Sequence, residues 1–205
     1  MGLIIKILTQ PGKALRRGLS TVFNVLRFKL KGVSFKKLPY FDGMVQISRA
    51  KDSHISFGRD VYLNSGRKCN PVGFEHKMMI SAAKGGSIVV GDHVGMSNTV
   101  IYATEAITIG NNVMLGNGVK IYDTDFHSLR ASDRLAICGD NTTKSAAVTI
   151  QDGAFIGAGT TILKGVTIGE GAIVGACSVV AKSIPAREIW AGNPATFIRC
   201  CESES

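Results

Sequence analysis

From Ile150 onward the chain repeats in sixes. Ile150, Ile156, Ile162, Ile168, Val174 and Val180 occupy every sixth position. The next residue is small at Gly157, Gly169, Gly175 and Ala181, with Gln151 and Leu163 as the exceptions. Four places after each apolar position stand Ala154, Thr160, Val166, Ala172, Ser178 and Ile184, all small or β-branched. An amphipathic helix repeats its apolar residues every three or four positions and a half-buried strand every two. A period of six suits very short strands joined by tight turns, as in a hexapeptide β-helix solenoid. Three sixes close one triangular coil. Residues 18 apart then stack, Ile150 with Ile168, Ile156 with Val174 and Ile162 with Val180, at a strand spacing of about 4.8 Å.

The frame is present but looser upstream. It reads Val90-Gly91, Met96 and Tyr102, slips by one, and resumes at Ile109-Gly110, Leu115-Gly116 and Ile121. An opening coil is expected from about Val45, with Ile55, Phe57, Val61 and Leu63, and an irregular excursion over residues 65–80. Between Ile121 and Ile150 the sixes vanish, so the polar stretch 122–147 must leave the coil stack as a loop. Long loops in compact domains are often functional. This one carries Asp123, Asp125, His127, Arg130, Asp133 and Arg134. The frame ends at Ile184-Pro185, and residues 186–205 read as a tail that leaves the solenoid.

The N-terminal segment, residues 1–40, is of another kind. It holds nine of the 24 Lys and Arg and none of the 15 Asp and Glu, so the formal charge of +9 belongs to it and the remainder is neutral. Within it, residues 14–31 read as an amphipathic helix with the stripe Leu15, Leu19, Val22, Phe23, Leu26 and Leu30. Two roles fit: a helix lying on an anionic membrane surface, or one docked on the solenoid or a neighbouring subunit. No recognisable nucleic-acid motif accompanies the charge, and no nucleic-acid partner is expected. The five cysteines form no C-x-x-C pair, which favours a reducing compartment over a disulfide framework. The first residues lack the layout of a signal peptide and no apolar run is long enough for a bilayer span. A cytoplasmic protein is expected, with the inner membrane face as the alternative address. The expected organisation is thus a basic segment 1–40, a β-helix 41–185 with an extruded loop 122–147, and a tail 186–205.

Three parts of the chain resemble the hexapeptide-repeat acyltransferases, closest to the maltose, galactoside and polysaccharide O-acetyltransferases. They are the repeat itself, the loop segment YDTDFHS with Arg134 downstream, and the closing run VTIQDGAFIGAGTTILKGVTIGEGAIVGACSVVAKSIPAREIWAGNPATFIR from Val148 to Arg199. The resemblance implies an all-β, left-handed parallel β-helix, a homotrimer, and acetyl-coenzyme A bound in grooves between subunits. It also implies transfer of the acetyl group to a sugar hydroxyl of a glycan or glycolipid precursor, with N-acylation of an amino sugar as a variant.

The resemblance places the general base at His127. An ordinary imidazole, with a pKa of about 6.5, is mostly free base at neutral pH and suits proton abstraction from an attacking hydroxyl. Asp125, two residues earlier, is positioned to orient such an imidazole as in a Ser-His-Asp arrangement; a loop ion pair with Arg130 or Arg134 is the other reading. For the coenzyme, the resemblance implies small groove positions at Gly157, Ala158 and Ala176, the pair Ala181-Lys182, and Arg199 for phosphate. Thr196 stands where the family commonly has a cation. The small residues also suit plain solenoid corners. Asn98, Tyr122 and Asp123 fall near acceptor-contacting positions. No metal is expected: the four histidines, His54, His76, His93 and His127, include no close pair, unlike the γ-class carbonic anhydrases. A non-catalytic scaffold and a Cys138 nucleophile are further alternatives.

Overall fold

The computed structural model describes residues 11–67, 72–73, 76–135 and 143–202. Helix α1 (Pro11–Leu30) is followed by six triangular coils, each contributing one short strand to each of three parallel sheets. The coils are β1 (Ser34–Phe35), β2 (Tyr40–Asp42), β3 (Gln46–Arg49); β4 (His54–Phe57), β5 (Tyr62–Asn64), β6 (Met79–Ala82); β7 (Ser87–Val90), β8 (Gly95–Ser97), β9 (Val100–Ala103); and β10 (Ala106–Ile109), β11 (Met114–Leu115), β12 (Lys120–Tyr122). After the loop and its one-turn helix α2 (Ala131–Arg134) come β13 (Val148–Ile150), β14 (Phe155–Ile156), β15 (Thr161–Ile162) and β16 (Thr167–Ile168), β17 (Ile173–Val174), β18 (Val179–Val180). A half-coil closes the stack with β19 (Glu188–Gly192), parallel to β17, and β20 (Ala195–Cys200), antiparallel to β19.

The register is the one that the sixes predict. Ile150 pairs with Ile168, Ile156 with Val174, and Ile162 with Val180. These side chains and their equivalents in earlier coils are buried in one continuous core, with Phe35 of the first coil packed half-buried against it. Each ladder residue is held by main-chain bonds to the coils above and below, so the three faces need few residues per strand.

Corners explain the small residues. A Cβ on Gly157 would sit 2.4 Å from Ala176 N, and one on Gly116 would sit 2.5 Å from Ala158 N. Neighbouring coils approach too closely there for any side chain. On the edge after the first sheet, polar side chains reach back instead. Asp92 accepts from Arg59 N (2.9 Å), Asn111 accepts from Asp92 N (2.9 Å), and Asp152 accepts from Asn111 N (2.8 Å). This ladder satisfies turn amides that the coil itself leaves without partners.

Two expectations need correction. The solenoid starts earlier than Val45: Ser34–Phe35 and Tyr40–Asp42 already form ladder strands, because Phe41 caps the core. The tail does not leave at Pro185. Trp190 stacks on Val174 as a further rung, and β20 folds back on it. Of the two roles open to α1, docking on the solenoid is observed, and it is made by the polar side of the helix. Asn24 is fully buried, donating to Gly43 O (2.9 Å) and accepting from Val45 N (3.1 Å). Arg16 and Arg17 each reach the Asp42 carboxylate at 2.7 Å. Phe28 plugs the open end of the core, edge-on to Phe41 (5.2 Å) and stacked on Phe57 (5.8 Å). The Leu15–Leu30 stripe consequently faces outward, each of its six residues 54–76% exposed.

Candidate active site

The extruded loop leaves the solenoid after β12, and its root is hydrogen-bonded at both ends. Asp123 is fully buried. Its carboxylate accepts from Thr104 N (2.8 and 3.0 Å), Thr104 Oγ1 (3.1 Å) and Glu105 N (2.8 Å) in the preceding coil turn. On the returning strand, Ser145 Oγ lies 2.7 Å from Thr104 Oγ1, and Ala146 N donates to Asp123 O at 2.9 Å. A buried carboxylate is retained only where donors replace its water, and here the donors also fix where the loop begins.

Above this root the backbone turns sharply. Phe126 has φ 63°, in the left-handed region. For a bulky residue that conformation costs about 1–2 kcal/mol, and such strain clusters at functional sites. It lays the Phe126 ring against Tyr102 (5.0 Å) and edge-on to Tyr122 (5.2 Å) on the outer face of the sheet. His127 follows directly, exposed, with its N–H donating to Asp125 O at 2.7 Å. Asp125 is half-buried, and its Oδ2 pairs with Lys164 Nζ at 2.7 Å. Its own N–H donates to Lys144 O at 3.1 Å. Beyond His127, Ser128 Oγ donates to Asp133 (2.9 Å) and Arg134 donates to Ser128 O (2.7 Å). A polar hollow of about 290 Å3 lies here, lined by Asp125, Ser128, Leu129, Arg130, Asp133 and Lys144. Cys138 lies outside the described residues.

The other expected residues divide between two edges of the prism. Gly157, Ala158 and Ala176 occupy the edge between the second and third sheets, in coils five and six. Ala181 and Lys182 occupy the edge from which the loop also departs, with Lys164 one coil above Lys182. Ala181 and Lys182 line a shallow cleft of about 240 Å3 together with Trp190, Pro194, Thr196 and Phe197. Arg199 is exposed on β20 and pairs with Glu202 at 3.3 Å. The positions given to the acceptor fare differently from one another. Asn98 is fully buried in a corner, accepting from Gly66 N at 2.6 Å, and Asp123 is committed to the loop root. Neither side chain offers surface to an acceptor, which corrects that expectation for both. Tyr122 is half-buried beside Phe126, and that burial raises its phenol above the usual tyrosine range.

Sequence reading missed Lys164 and Thr104. Lys164 follows Leu163, one of two places where the small residue of the repeat is missing, and that irregularity was its signal. Nothing in the sequence near Thr104 marks it.

A solenoid of short parallel strands with an extruded loop that presents a histidine defines a class, and the comparisons agree with it. Residues 147–182 match the family model described as bacterial transferase hexapeptide (six repeats). No curated protein matches the chain. Among solved structures, the fold is similar to AntD, an N-acyltransferase from Bacillus cereus in complex with dTDP and 3-hydroxybutyryl-CoA. The TM-score is 0.68 at 20% identity, over 87% of this chain and 88% of that one. A single-substitution mutant of AntD with dTDP-4-amino-4,6-dideoxyglucose and coenzyme A gives 0.67 at 19% identity, over 87% and 90%. The hexapeptide-repeat containing acetyltransferase VCA0836 from Vibrio cholerae gives 0.51 at 22% identity, over 93% and 92%. The fold is therefore a left-handed parallel β-helix, and residues 147–182 carry its hexapeptide repeat.

Proposed function

We propose that the chain is a coenzyme A-dependent acyltransferase that moves an acetyl group from acetyl-coenzyme A to a sugar hydroxyl, with His127 as general base. The observation that carries this reading is the presentation of His127. It stands exposed directly after the strained Phe126, on a loop whose root Asp123 ties to the solenoid. The imidazole takes the hydroxyl proton as that oxygen attacks the thioester carbonyl. The carbon–sulfur bond then breaks, and the proton passes to the departing coenzyme thiolate. General-base assistance of this kind contributes about 10² to 10⁴ in rate. Asp125 and Lys164 hold the loop in register beneath the histidine.

On this reading the coenzyme arm runs along the small residues Gly157, Ala158 and Ala176, and Lys182 and Arg199 meet its phosphates. Those small residues and His127 belong to different edges of one prism. A homotrimer, in which the loop of one copy faces the small-residue edge of the next, joins them. The second sheet supports such packing. Its outward column contains Tyr40, Tyr62, Met114 and Phe155, 43–60% exposed, whereas the outward column of the first sheet is Ser34, Ser56, Val89, Thr108, Thr149 and Thr167, with one apolar side chain among hydroxyls. Light scattering giving three times the chain mass tests the assembly.

A second reading, N-acylation of a nucleotide-linked amino sugar, is favoured by the likeness to AntD. One experiment separates the two. Hydroxyl and amino sugar acceptors are incubated with acetyl-coenzyme A, and the products are weighed by mass spectrometry before and after mild alkali. An acetyl mass that alkali removes is the ester of the first reading; one that survives is the amide of the second.

A further inference from the structure

The apolar stripe of α1 is left over by everything above. We propose that this outward face binds the surface of an anionic phospholipid bilayer, holding the solenoid end-on against it. The proposal goes beyond the acyltransferase reading and does not depend on it.

The first support is orientation. At about 3.6 residues per turn, Leu15, Leu19, Val22, Phe23, Leu26 and Leu30 fall within an arc of about 100°. The residues that fasten the helix, Ser20, Asn24 and Phe28, lie on the opposite side and are buried. The helix is thus fixed by specific bonds and ion pairs on Asp42, and those bonds aim its apolar side at solvent. A helix whose only task was to cap the core would bury its leucines and expose its asparagine. The apolar surface continues beside the helix into a hollow of about 550 Å3, lined by Leu15, Leu19, Phe23, Met44 and the cations Arg16 and Arg67.

Charge selects the occupant. Exposed Arg27 and Lys29 fall on opposite flanks of the stripe, and exposed Lys31 follows the helix end. Basic residues bordering an apolar arc are the arrangement of helices that lie in the interface plane, leucines at the acyl boundary and cations among the headgroups. Residues 1–40 contain no acid, so the same face of a second copy would meet this one with like charge. A nucleic acid would use the cations and leave the leucines wet. No helix among the described residues is long and apolar enough to cross a membrane, so the contact is peripheral.

The test uses the full chain and co-sedimentation with vesicles of phosphatidylcholine alone or mixed with phosphatidylglycerol. Binding is expected to the mixed vesicles and not to the neutral ones. Raising salt from about 0.05 to about 0.5 M, which shortens the screening length, should cut it about tenfold. Leu19→Glu/Leu26→Glu should abolish it with unchanged circular dichroism, melting and oligomeric mass, since both side chains are exposed. Arg27→Gln/Lys29→Gln should weaken it without touching the stripe. A wild-type protein that stays in solution with the anionic vesicles at low salt overturns the proposal. So does binding indifferent to Leu19→Glu/Leu26→Glu, and so does a change of oligomeric mass in that variant, which would assign the face to contact between copies.

Discussion

Lys164 Nζ lies 2.7 Å from Asp125 Oδ2 across 39 residues of sequence, joining a solenoid corner to the loop that carries His127. Both groups are partly open to water, so the pair itself is worth about 1 kcal/mol or less. Its larger effect is geometric, because a displacement of about 1 Å at a reacting group costs about 10²-fold in rate. Lys164→Met should therefore lower kcat by about tenfold or more with a nearly unchanged melting temperature, and Lys164→Arg should recover much of it. Equal rates for wild type and Lys164→Met would remove the lysine from the positioning role.

Asp123 anchors the loop and gives no surface to a substrate. Asp123→Ala leaves the amides of Thr104 and Glu105 without their acceptor, at a cost of about 1–3 kcal/mol for each buried donor that water does not reach. Chemical denaturation should register the loss. The KM for the acceptor should change far less than kcat in any Asp123→Asn protein that folds.

The corner ladder gives a pH signature. The Asp92 carboxyl is held below the ordinary carboxylate range, first by the Arg59 N–H and then by the Arg59 side chain. Asp152 is held down likewise by the N–H and side chain of Asn111. A carboxylate with a depressed folded-state pKa stabilises the fold above its unfolded pKa, and the contribution disappears as pH falls through the folded value. Asp92→Asn should thus melt below wild type at neutral pH, and the difference should close as the pH drops under the carboxylate range. A difference that persists in acid would mean that packing, and not charge, holds that corner.

Much of this architecture was legible because the β-helix writes its period into the sequence. Ile150 to Val180 name their own stacking partners, and each pairing is observed. The helix was legible as a helix, but its docked side was not. Periodicity assumes that leucines bury, whereas here buried Asn24 and the Asp42 ion pairs, reaching across up to 26 residues, decide the orientation. Asp123 and Asp125 look alike in a polar loop. What separates them is Thr104, a coil away in space, and Lys164, a coil away on the other side.

Lys182 and Arg199 separate coenzyme binding from chemistry in the proposed reaction. Lys182 is exposed beside a cleft containing Trp190 and Phe197, so replacing it should spare the fold. Lys182→Ala should raise the KM for acetyl-coenzyme A by roughly threefold to tenfold, on the scale of one or two charge-assisted contacts, with kcat little altered. Calorimetric titration with coenzyme A gives the same comparison without turnover.

His127 is the centre of the functional account. The most direct measurement is release of free thiol from acetyl-coenzyme A in the presence of a competent acceptor, comparing wild type with His127→Ala. The account predicts that His127→Ala loses about 10² to 10⁴ in kcat, while coenzyme affinity, melting temperature and oligomeric mass stay as in wild type. A His127→Ala protein turning over at close to the wild-type rate would contradict it.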